Sequence, residues 1–465
     1  MNRRKLLGLS SALPLAHLAS GMGVRSADAP AEQASETRYE PVSPTEDQRT
    51  AWYRQAKFGM FIHWGPYSVA SVEASWPIMR PSSEFPITEQ EYRALPKQFN
   101  PVQFDPDAWV ELAKSAGQRY MVFTTKHHDG FCMFDSAYTD YKVTETPYKN
   151  DIVAKLAEAC RRHNMPLGFY YSPPDMNHPA FRDTSQPASS NWNGEPTREW
   201  WPIYLQYMEL QLRELLTGYG DVALIWFDGL YNQRKFDGHR MLRAILEQQP
   251  RTLINNRIGI PGDFETPEQF LPASIPIKGK TLDFNHREAG SKPNYVPTSQ
   301  EFRLWETCMT INHTWAYNKN DHDFKSTKML IRTLVEVASR GGNFLLNVGP
   351  GPDGQIQTEF VERLEGIGRW MDRNGEAIYG TTYGPIQGVS SVRTTAKEND
   401  VFVHIFEWPA TTLELSVANL PKLRSASVLA SGETIVFRQE NGRLFLQLPP
   451  QAPDPNLTVI RMRAA

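Results

Sequence analysis

One apolar run of the chain stops abruptly at a carboxylate and a glycine: Val222-Ala223-Leu224-Ile225-Trp226-Phe227-Asp228-Gly229. Its apolar residues are continuous rather than alternating, which is typical of a parallel strand that is covered on both faces. In α/β folds, functional side chains lie at the carboxyl ends of such strands. A carboxylate held beside Trp226 and Phe227 is costly unless it is paired or used. Asp228 is therefore a candidate functional acid, and the alternative is an aspartate that only caps the next turn.

Strands and helices alternate on both sides of this run. Predicted strands lie at 58–62, 120–124, 166–172, 222–227, 252–254, 304–307 and 343–349, and amphipathic helical patterns separate most of them. Repeated βα units with right-handed crossovers close most simply into a (β/α)₈ barrel of the TIM type. After Tyr379 the pattern changes to short strands separated by turn residues, which predicts a small C-terminal antiparallel β-sandwich. The stretch 261–299 is rich in Pro and Gly without clear periodicity, and we predict an excursion over the barrel mouth.

The first residues predict an export signal. Arg3, Arg4 and Lys5 precede a weakly apolar stretch that leads to Ala27-Asp28-Ala29. The paired arginines favour the twin-arginine route, and the general secretory route is the alternative. We therefore expect a cleaved signal at 1–29, a linker at 30–50, the barrel at 51–379 and the sandwich at 380–465. We expect the mature protein in the periplasm or outside the cell, since no later stretch approaches the roughly 18 apolar residues of a membrane span.

Charge and cysteine content exclude further classes of protein. The net charge is −3, and cleavage after Ala29 would remove four cations and one acid, which changes it to −6. No basic excess then points to a nucleic-acid partner. The three cysteines, Cys132, Cys160 and Cys308, form no Cys-x-x-Cys pair, so the chain is not a disulfide scaffold, although one bridge among them stays open.

Several polar residues follow predicted strands on their carboxyl side, and a barrel would bring them around one mouth. They are His63, His127, His128, Tyr171, Asp228 and Arg257. Because adjacent residues of an extended chain point in opposite directions, at most one of the two neighbouring histidines should face the barrel axis unless the strand bends there.

Two kinds of chemistry use such a set of residues. A zinc hydrolase needs His and carboxylate ligands that converge on an ion, but the His-x-His spacing that would place two ligands on one side of a strand is missing. Glycoside cleavage with retention needs two carboxylates about 5–5.5 Å apart and no metal. Aromatic rings, histidines and an arginine would then bind the sugar.

Four motifs carry a resemblance to the α-L-fucosidases of glycoside hydrolase family 29. They are Phe58-Gly59-Met60-Phe61-Ile62-His63-Trp64-Gly65, Lys126-His127-His128-Asp129-Gly130-Phe131, Trp226-Phe227-Asp228-Gly229, and Gly342-Asn343-Phe344-Leu345-Leu346-Asn347-Val348-Gly349-Pro350. The resemblance covers about 52–379. It implies a catalytic barrel with a C-terminal β-sandwich, no cofactor or metal, and exo-acting release of terminal α-L-fucose from a fucosylated glycan with retention.

The resemblance also implies roles for individual residues. Asp228 would be the nucleophile that forms a covalent fucosyl-enzyme. The residues implied to hold the sugar are His63, Trp76, His127, His128, Tyr171, Trp226 and Arg257, with Tyr170 as the alternative to Tyr171, because neighbouring strand residues face opposite sides.

Of the two catalytic carboxylates, the sequence indicates the acid/base less directly than the nucleophile. Glu268 follows Arg257 at a family-like distance and is the first choice, Glu265 the second and Glu306 the third. The acid must be protonated when substrate binds, so we expect it to be buried.

One position departs from the family pattern. Many relatives carry Glu-Trp where this chain has Ser75-Trp76, so a carboxylate that commonly contacts the sugar is absent or is supplied by Glu73. Linkage and leaving group therefore stay open. Two alternative functions are a retaining glycosidase for another sugar, since the pocket lining rather than the fold selects the sugar, and a fucose-binding protein without turnover.

Overall fold

The computed structural model describes most of the chain after residue 47. The described residues are 48–79, 85–186, 197–229, 233–272, 275–276, 278, 301–417 and 420–465. The predicted export signal at 1–29 and the predicted linker up to residue 47 lie outside them, as do residues 279–299 of the predicted excursion. All described residues belong to one compact unit.

A parallel sheet of seven strands forms most of the barrel wall, in the order β5-β4-β3-β2-β1-β7-β6. Its strands are β1 (Phe58–Ile62), β2 (Met121–Lys126), β3 (Leu167–Tyr171), β4 (Leu224–Phe227), β5 (Leu253–Ile254), β6 (Glu306–Thr310) and β7 (Asn343–Val348). Nearly every residue of these strands is buried, as expected for a parallel sheet with one face toward the barrel interior and one toward helices. The predicted (β/α)₈-type architecture is thus confirmed, and β6 starts two residues later than predicted.

The gap between β5 and β6 is closed by residues 263–269. Single parallel bridges join Phe264 to Asn255 on one side, and Glu265 to Trp305 and Glu268 to Cys308 on the other. This part of 261–299 is therefore barrel wall, and its prediction as an excursion over the mouth was wrong. Pro267 lacks the N–H of a regular ladder, which hides the strand from a periodicity search.

Helices cover the outside of the barrel and the rim. They are α1 (Gln48–Ala56), α2 (Tyr67–Ala70), α3 (Trp76–Met79), α4 (Glu89–Ala94), α5 (Pro106–Ser115), α6 (Ile152–Arg162), α7 (Trp201–Gly218), α8 (Gly238–Gln248), α9 (Thr327–Ala338) and α10 (Thr358–Asn374), with short 3₁₀ helices at Leu95–Lys97, Val143–Glu145, Gln233–Phe236 and Gly375–Ala377. Side chains of Asp105, Asp151 and Ser326 accept backbone N–H bonds at the starts of α5, α6 and α9, so the sequence itself sets where these helices begin.

The C-terminal part is a β-sandwich of two antiparallel sheets. One sheet has the order β12-β15-β10-β9-β8 and the other β11-β14-β13. The strands are β8 (Thr382–Tyr383), β9 (Val392–Lys397), β10 (Asp400–Ile405), β11 (Thr412–Ser416), β12 (Leu423–Val428), β13 (Val436–Glu440), β14 (Arg443–Gln447) and β15 (Thr458–Ala464). A separate cluster of buried Val, Leu and Ile residues fills the space between the two sheets.

The sandwich packs against the last two barrel helices. Trp370 of α10 donates its indole N–H to the carbonyl of Leu457 at 2.8 Å, and Glu336 of α9 pairs with Arg393 of β9 at 2.7 Å. Phe402 and Val459 belong to the barrel's own hydrophobic cluster. Removal of the sandwich would therefore expose part of the barrel core.

A fully buried carboxylate lies inside the barrel below its mouth. Glu306 accepts hydrogen bonds from the Tyr53 hydroxyl at 2.7 Å, from the Trp226 indole N–H at 3.0 Å, and from the Tyr120 hydroxyl. Burial raises the pKa of Glu306 from 4.5 to about 7, because the cost of removing the charge from water outweighs the three donors.

Glu306→Gln should change the pH dependence of stability. The folded pKa of about 7 lies above the unfolded value of 4.5, so the contribution of Glu306 to the unfolding free energy is full below pH 4.5 and is lost as the pH rises through 7. At about 1.4 kcal/mol per pKa unit, the wild type should lose on the order of 3 kcal/mol relative to the Gln variant between pH 4.5 and 8. Thermal unfolding of both proteins across this range measures the difference. Parallel curves would contradict the prediction.

Candidate active site

Asp228 follows β4 directly, at the barrel mouth. Its Oδ2 accepts the Tyr170 hydroxyl at 3.0 Å and lies 3.4 Å from His128 Nε2, while its Oδ1 lies 3.2 Å from Arg257 Nη1. Burial would raise the pKa of Asp228, but the His128 contact and the Arg257 charge outweigh it and hold that pKa well below its usual range. The carboxylate is therefore ionised across the physiological range, as a nucleophile must be.

Glu268 lies beside Asp228 because the strand that closes the barrel carries it there. Arg257 Nη1 contacts Glu268 Oε2 at 2.8 Å and Asp228 Oδ1 at 3.2 Å. Because both oxygens contact the same nitrogen, Glu268 Oε2 and Asp228 Oδ1 cannot be farther apart than the sum of these two distances, 6.0 Å. The Glu268 side chain is 37% exposed, so the expectation of a buried acid was wrong, because the residue lies at the rim of the pocket.

His63 has a defined tautomer. The Asn347 amide donates to the Trp315 carbonyl at 2.7 Å, so the Asn347 oxygen is the group that accepts from His63 Nδ1, also at 2.7 Å. Burial lowers the pKa of His63 to about 4. The ring is therefore neutral, and its Nε2 is an acceptor for a donor such as a sugar hydroxyl.

His127 and His128 both line the pocket, although they are neighbours. β2 carries a register shift at Thr124–Lys126 and ends there, and a turn returns from His127 to Gly130, so the backbone is no longer extended. The chain therefore bends directly after β2, and the centroids of the His127 and His128 rings lie only 4.3 Å apart.

Two serines orient these rings. Ser75 Oγ accepts the Asp129 N–H at 3.0 Å and lies 2.6 Å from His127 Nδ1. Among the described residues this nitrogen is the acceptor within reach of the Ser75 proton, so the serine donates to it and His127 is a donor at Nε2. Burial lowers the pKa of His127 well below its usual value, and the ring is neutral. Ser172 instead donates to the Pro174 carbonyl at 2.7 Å, so His128 Nδ1 donates to Ser172 Oγ at 2.6 Å.

The tyrosine of β3 that lines the pocket is Tyr170. The prediction that Tyr171 would hold the sugar was wrong, because Tyr171 faces away from the pocket. Tyr170 pairs in register with Trp226, whereas Tyr171 pairs with Phe227, so the two tyrosines face opposite sides of the sheet. The Tyr171 hydroxyl donates to Gln211 at 2.8 Å and accepts from Lys126 at 3.0 Å, in the layer between barrel and helices.

Aromatic side chains form much of the pocket wall. Predicted members Trp76 and Trp226 line it, together with Phe61, Cys308 and Trp315, which the sequence analysis missed. Residues two apart in a strand face the same side of the sheet. Phe61 lies two residues before His63, and Cys308 lies two residues after Glu306, so this alternation could have identified both. Trp315 lies in the loop after β6, where no periodic pattern exists.

The other candidate carboxylates do not line the pocket. Glu265 pairs with Arg303 at 3.4 Å, and Glu306 is buried behind the Trp226 ring, so neither is placed to reach a bound sugar. Glu73 accepts the Trp315 backbone N–H with both oxygens, at 2.9 and 3.0 Å, and burial raises its pKa to about 7. It therefore fixes the loop of Trp315 and does not replace the missing sugar-contacting carboxylate.

The described residues contain no group of three or more His, Cys, Asp or Glu arranged to hold a metal ion. Cys132, Cys160 and Cys308 are buried free thiols. The pocket thus combines an ionised carboxylate, a second carboxylate within 6.0 Å, the neutral rings of His63 and His127, and aromatic walls. Such a site can attack an electrophilic carbon and exchange a proton on the opposite side of a breaking bond.

Comparisons with known proteins agree with this chemistry. Residues 26–376 match the family described as alpha-L-fucosidase. Tissue α-L-fucosidase of Bos taurus and plasma α-L-fucosidase of Homo sapiens are each 29% identical to the chain, with 89% of both chains covered in each case.

Solved structures show the same similarity. α-L-fucosidase isoenzyme 1 from Paenibacillus thiaminolyticus superposes with a TM-score of 0.78 and 35% identity, over 91% of this chain and all of that one. A GH29 α-L-fucosidase from Bacteroides thetaiotaomicron, trapped as a covalent intermediate, has a TM-score of 0.75 and 28% identity, over 90% of this chain and 96% of that one. From its fold, its site and these relatives, the chain belongs to the α-L-fucosidase family of glycoside hydrolases.

Proposed function

We propose that the protein is a retaining, exo-acting α-L-fucosidase that hydrolyses terminal α-L-fucosyl linkages of glycans by double displacement. The observation that carries the proposal is the single Arg257 nitrogen that contacts both Asp228 and Glu268, which keeps their oxygens within 6.0 Å. Retaining glycosidases hold the two carboxyl groups about 5–5.5 Å apart, whereas inverting enzymes need about 6.5–9.5 Å to admit a water.

In the first step, an Asp228 oxygen attacks the anomeric carbon while Glu268 gives its proton to the leaving oxygen. The glycosidic bond breaks, and a fucosyl ester forms on Asp228. In the second step, Glu268 takes a proton from water, the hydroxide attacks the same carbon, and the ester bond breaks to release L-fucose and free Asp228. The relative trapped as a covalent intermediate supports this order of events.

The pocket is chemically suited to a 6-deoxy sugar. His63 presents an acceptor and His127 a donor, so the two rings can bind neighbouring hydroxyls in opposite directions. Phe61, Cys308 and Trp315 form an apolar part of the wall that suits a methyl group better than a hydroxymethyl, whose hydroxyl would lose its hydrogen bonds there.

Hydrolysis of 4-nitrophenyl α-L-fucoside, beside a panel of other nitrophenyl glycosides, tests the proposal. We expect release of nitrophenol from the fucoside alone, and proton NMR of the fresh product should show the α-anomer first. The β-anomer first would overturn retention. Turnover of another glycoside only would indicate a different sugar specificity, and fucose binding without any turnover would indicate a binding protein.

Tyr170→Phe and Tyr171→Phe form a matched pair of neighbouring substitutions. Loss of the Tyr170 hydroxyl removes a donor to Asp228, and we expect kcat to fall roughly 10- to 100-fold. Loss of the Tyr171 hydroxyl removes contacts with Lys126 and Gln211, so we expect a lower Tm and a kcat within about threefold of wild type. Steady-state kinetics and thermal unfolding separate the two effects. Equal kcat values would contradict the placement of Tyr170.

We also propose that the protein is exported, because of the basic and apolar pattern at 1–29. In the described part of the chain, no helix is long and apolar enough to cross a membrane. N-terminal sequencing of protein from the periplasm of an expressing bacterium should start near Pro30. Substitution of Arg3 and Arg4 by Lys should retain the precursor in the cytoplasm if the twin-arginine route is used.

A further inference from the structure

We propose that Glu306 is a positioning residue for the nucleophile, which it holds in place through Trp226. The inference rests on the proposed function, since it assigns a role in the chemistry of Asp228. Glu306 does not line the pocket, so it acts through the indole ring and not on the sugar.

The first link is the hydrogen bond between Glu306 and Trp226. An indole has one donor, its Nε1–H, and here that donor reaches Glu306 Oε1 at 3.0 Å. The other carboxylate oxygen accepts from the hydroxyls of Tyr53 and Tyr120. Because these contacts fix the carboxylate inside the barrel, it defines the rotation of the Trp226 ring.

The second link is the packing of Trp226 between two neighbours. Tyr170 stacks on the ring with a centroid distance of 5.7 Å and an interplanar angle of 16°, and the Arg257 guanidinium lies 4.6 Å from the ring centroid. β4 pairs with β3 on one side and with β5 on the other, so Tyr170 and Arg257 flank the ring from opposite sides.

The third link joins these two neighbours to Asp228. Tyr170 bonds Oδ2 at 3.0 Å and Arg257 contacts Oδ1 at 3.2 Å. A rotation of the Trp226 ring would therefore shift the donors on both oxygens together. A misplacement of reacting groups by about 1 Å can cost up to 10²-fold in rate, so the orientation of one buried indole is sufficient to control the nucleophile.

A double-mutant cycle between Glu306→Gln and Trp226→Phe tests the proposal. The Gln side chain keeps the shape of Glu306 but replaces a charge-assisted hydrogen bond to the indole by a weaker neutral one. We therefore expect kcat at pH 8 to fall about tenfold, a larger factor than the rise in KM. Phe keeps a stacking ring but has no N–H, so Glu306→Gln should change kcat less than twofold in the Trp226→Phe background. An equal loss in both backgrounds would overturn the proposal.

Two further measurements separate positioning from a structural role. Trp370→Phe removes another buried indole N–H, which bonds the Leu457 carbonyl at the contact with the sandwich, and should lower the Tm while leaving kcat unchanged. Glu306→Gln should not lower the Tm at pH 8, so a loss of activity there is not a loss of folding. Should Glu306→Gln fail to fold, Glu306→Asp keeps the charge, withdraws it from the indole and is expected to lower kcat similarly.

The Trp226 indole N–H signal in ¹⁵N–¹H NMR reports the first link without any turnover. In the wild type we expect slow exchange with solvent, and a shift of this signal in Glu306→Gln. A rapidly exchanging or unshifted signal would overturn the inference. Absence of fucosidase activity in the wild type would instead overturn the proposed function, so the two failures are distinguishable.

Discussion

We expect Asp228→Asn to lower kcat for 4-nitrophenyl α-L-fucoside by at least about 10⁴-fold, the size expected when a group that acts covalently is lost. The structure gives the physical reason. Arg257, Tyr170 and His128 hold the carboxylate ionised and oriented, and an amide neither carries the charge nor forms the ester. KM should change far less than kcat, because the other contacts with the sugar are kept. A residual kcat above about 1% would contradict the assignment.

Azide distinguishes a missing nucleophile from a damaged pocket. In Asp228→Gly, azide can enter the space of the carboxylate and attack the anomeric carbon directly, so the product should be the β-fucosyl azide, with inverted configuration. Asp151→Ala is the matched control, because Asp151 caps α6 away from the pocket. It should lower the Tm, leave kcat within about threefold, and show no response to azide.

The sequence predicted well those features that depend on strand position alone. Asp228, His63 and Arg257 follow buried strands, and the barrel brings all three to one mouth because the carboxyl ends of its parallel strands lie on the same side. The same alternation that places His63 in the pocket also places Phe61 there.

Features that depend on strand register or on tertiary contacts could not be predicted from the sequence. The choice between Tyr170 and Tyr171 follows from the pairing of β3 with β4, which a single strand does not encode. Both histidines face the pocket because β2 ends in a bulge and a turn. The strand that carries Glu268 is held by isolated bridges and is interrupted by Pro267, so no local pattern marks it.

Glu268→Gln should show an effect that depends on the leaving group. For a disaccharide whose leaving group is a sugar hydroxyl, protonation is essential, and we expect kcat/KM to fall roughly 10³-fold or more. For 4-nitrophenyl α-L-fucoside the leaving phenolate needs little protonation, so formation of the fucosyl-enzyme should be nearly unimpaired. Its hydrolysis should instead become rate-limiting, since no base then activates water. A burst of nitrophenol followed by slow turnover is the expected time course.

Glu265→Gln is the control that the chain itself offers. Glu265 lies three residues earlier on the same closing strand, and its carboxylate pairs with Arg303 outside the pocket, so we expect a kcat/KM within about threefold of wild type on both substrates. Azide should accelerate Glu268→Gln and give the α-fucosyl azide, because it attacks the fucosyl ester on Asp228 and the two inversions restore the configuration. A β-azide from this variant would assign the nucleophile to Glu268 instead. A leaving-group dependence in Glu265→Gln, with none in Glu268→Gln, would move the acid to Glu265. The closing strand would then have to shift, since it is Glu268 that shares the Arg257 nitrogen with Asp228.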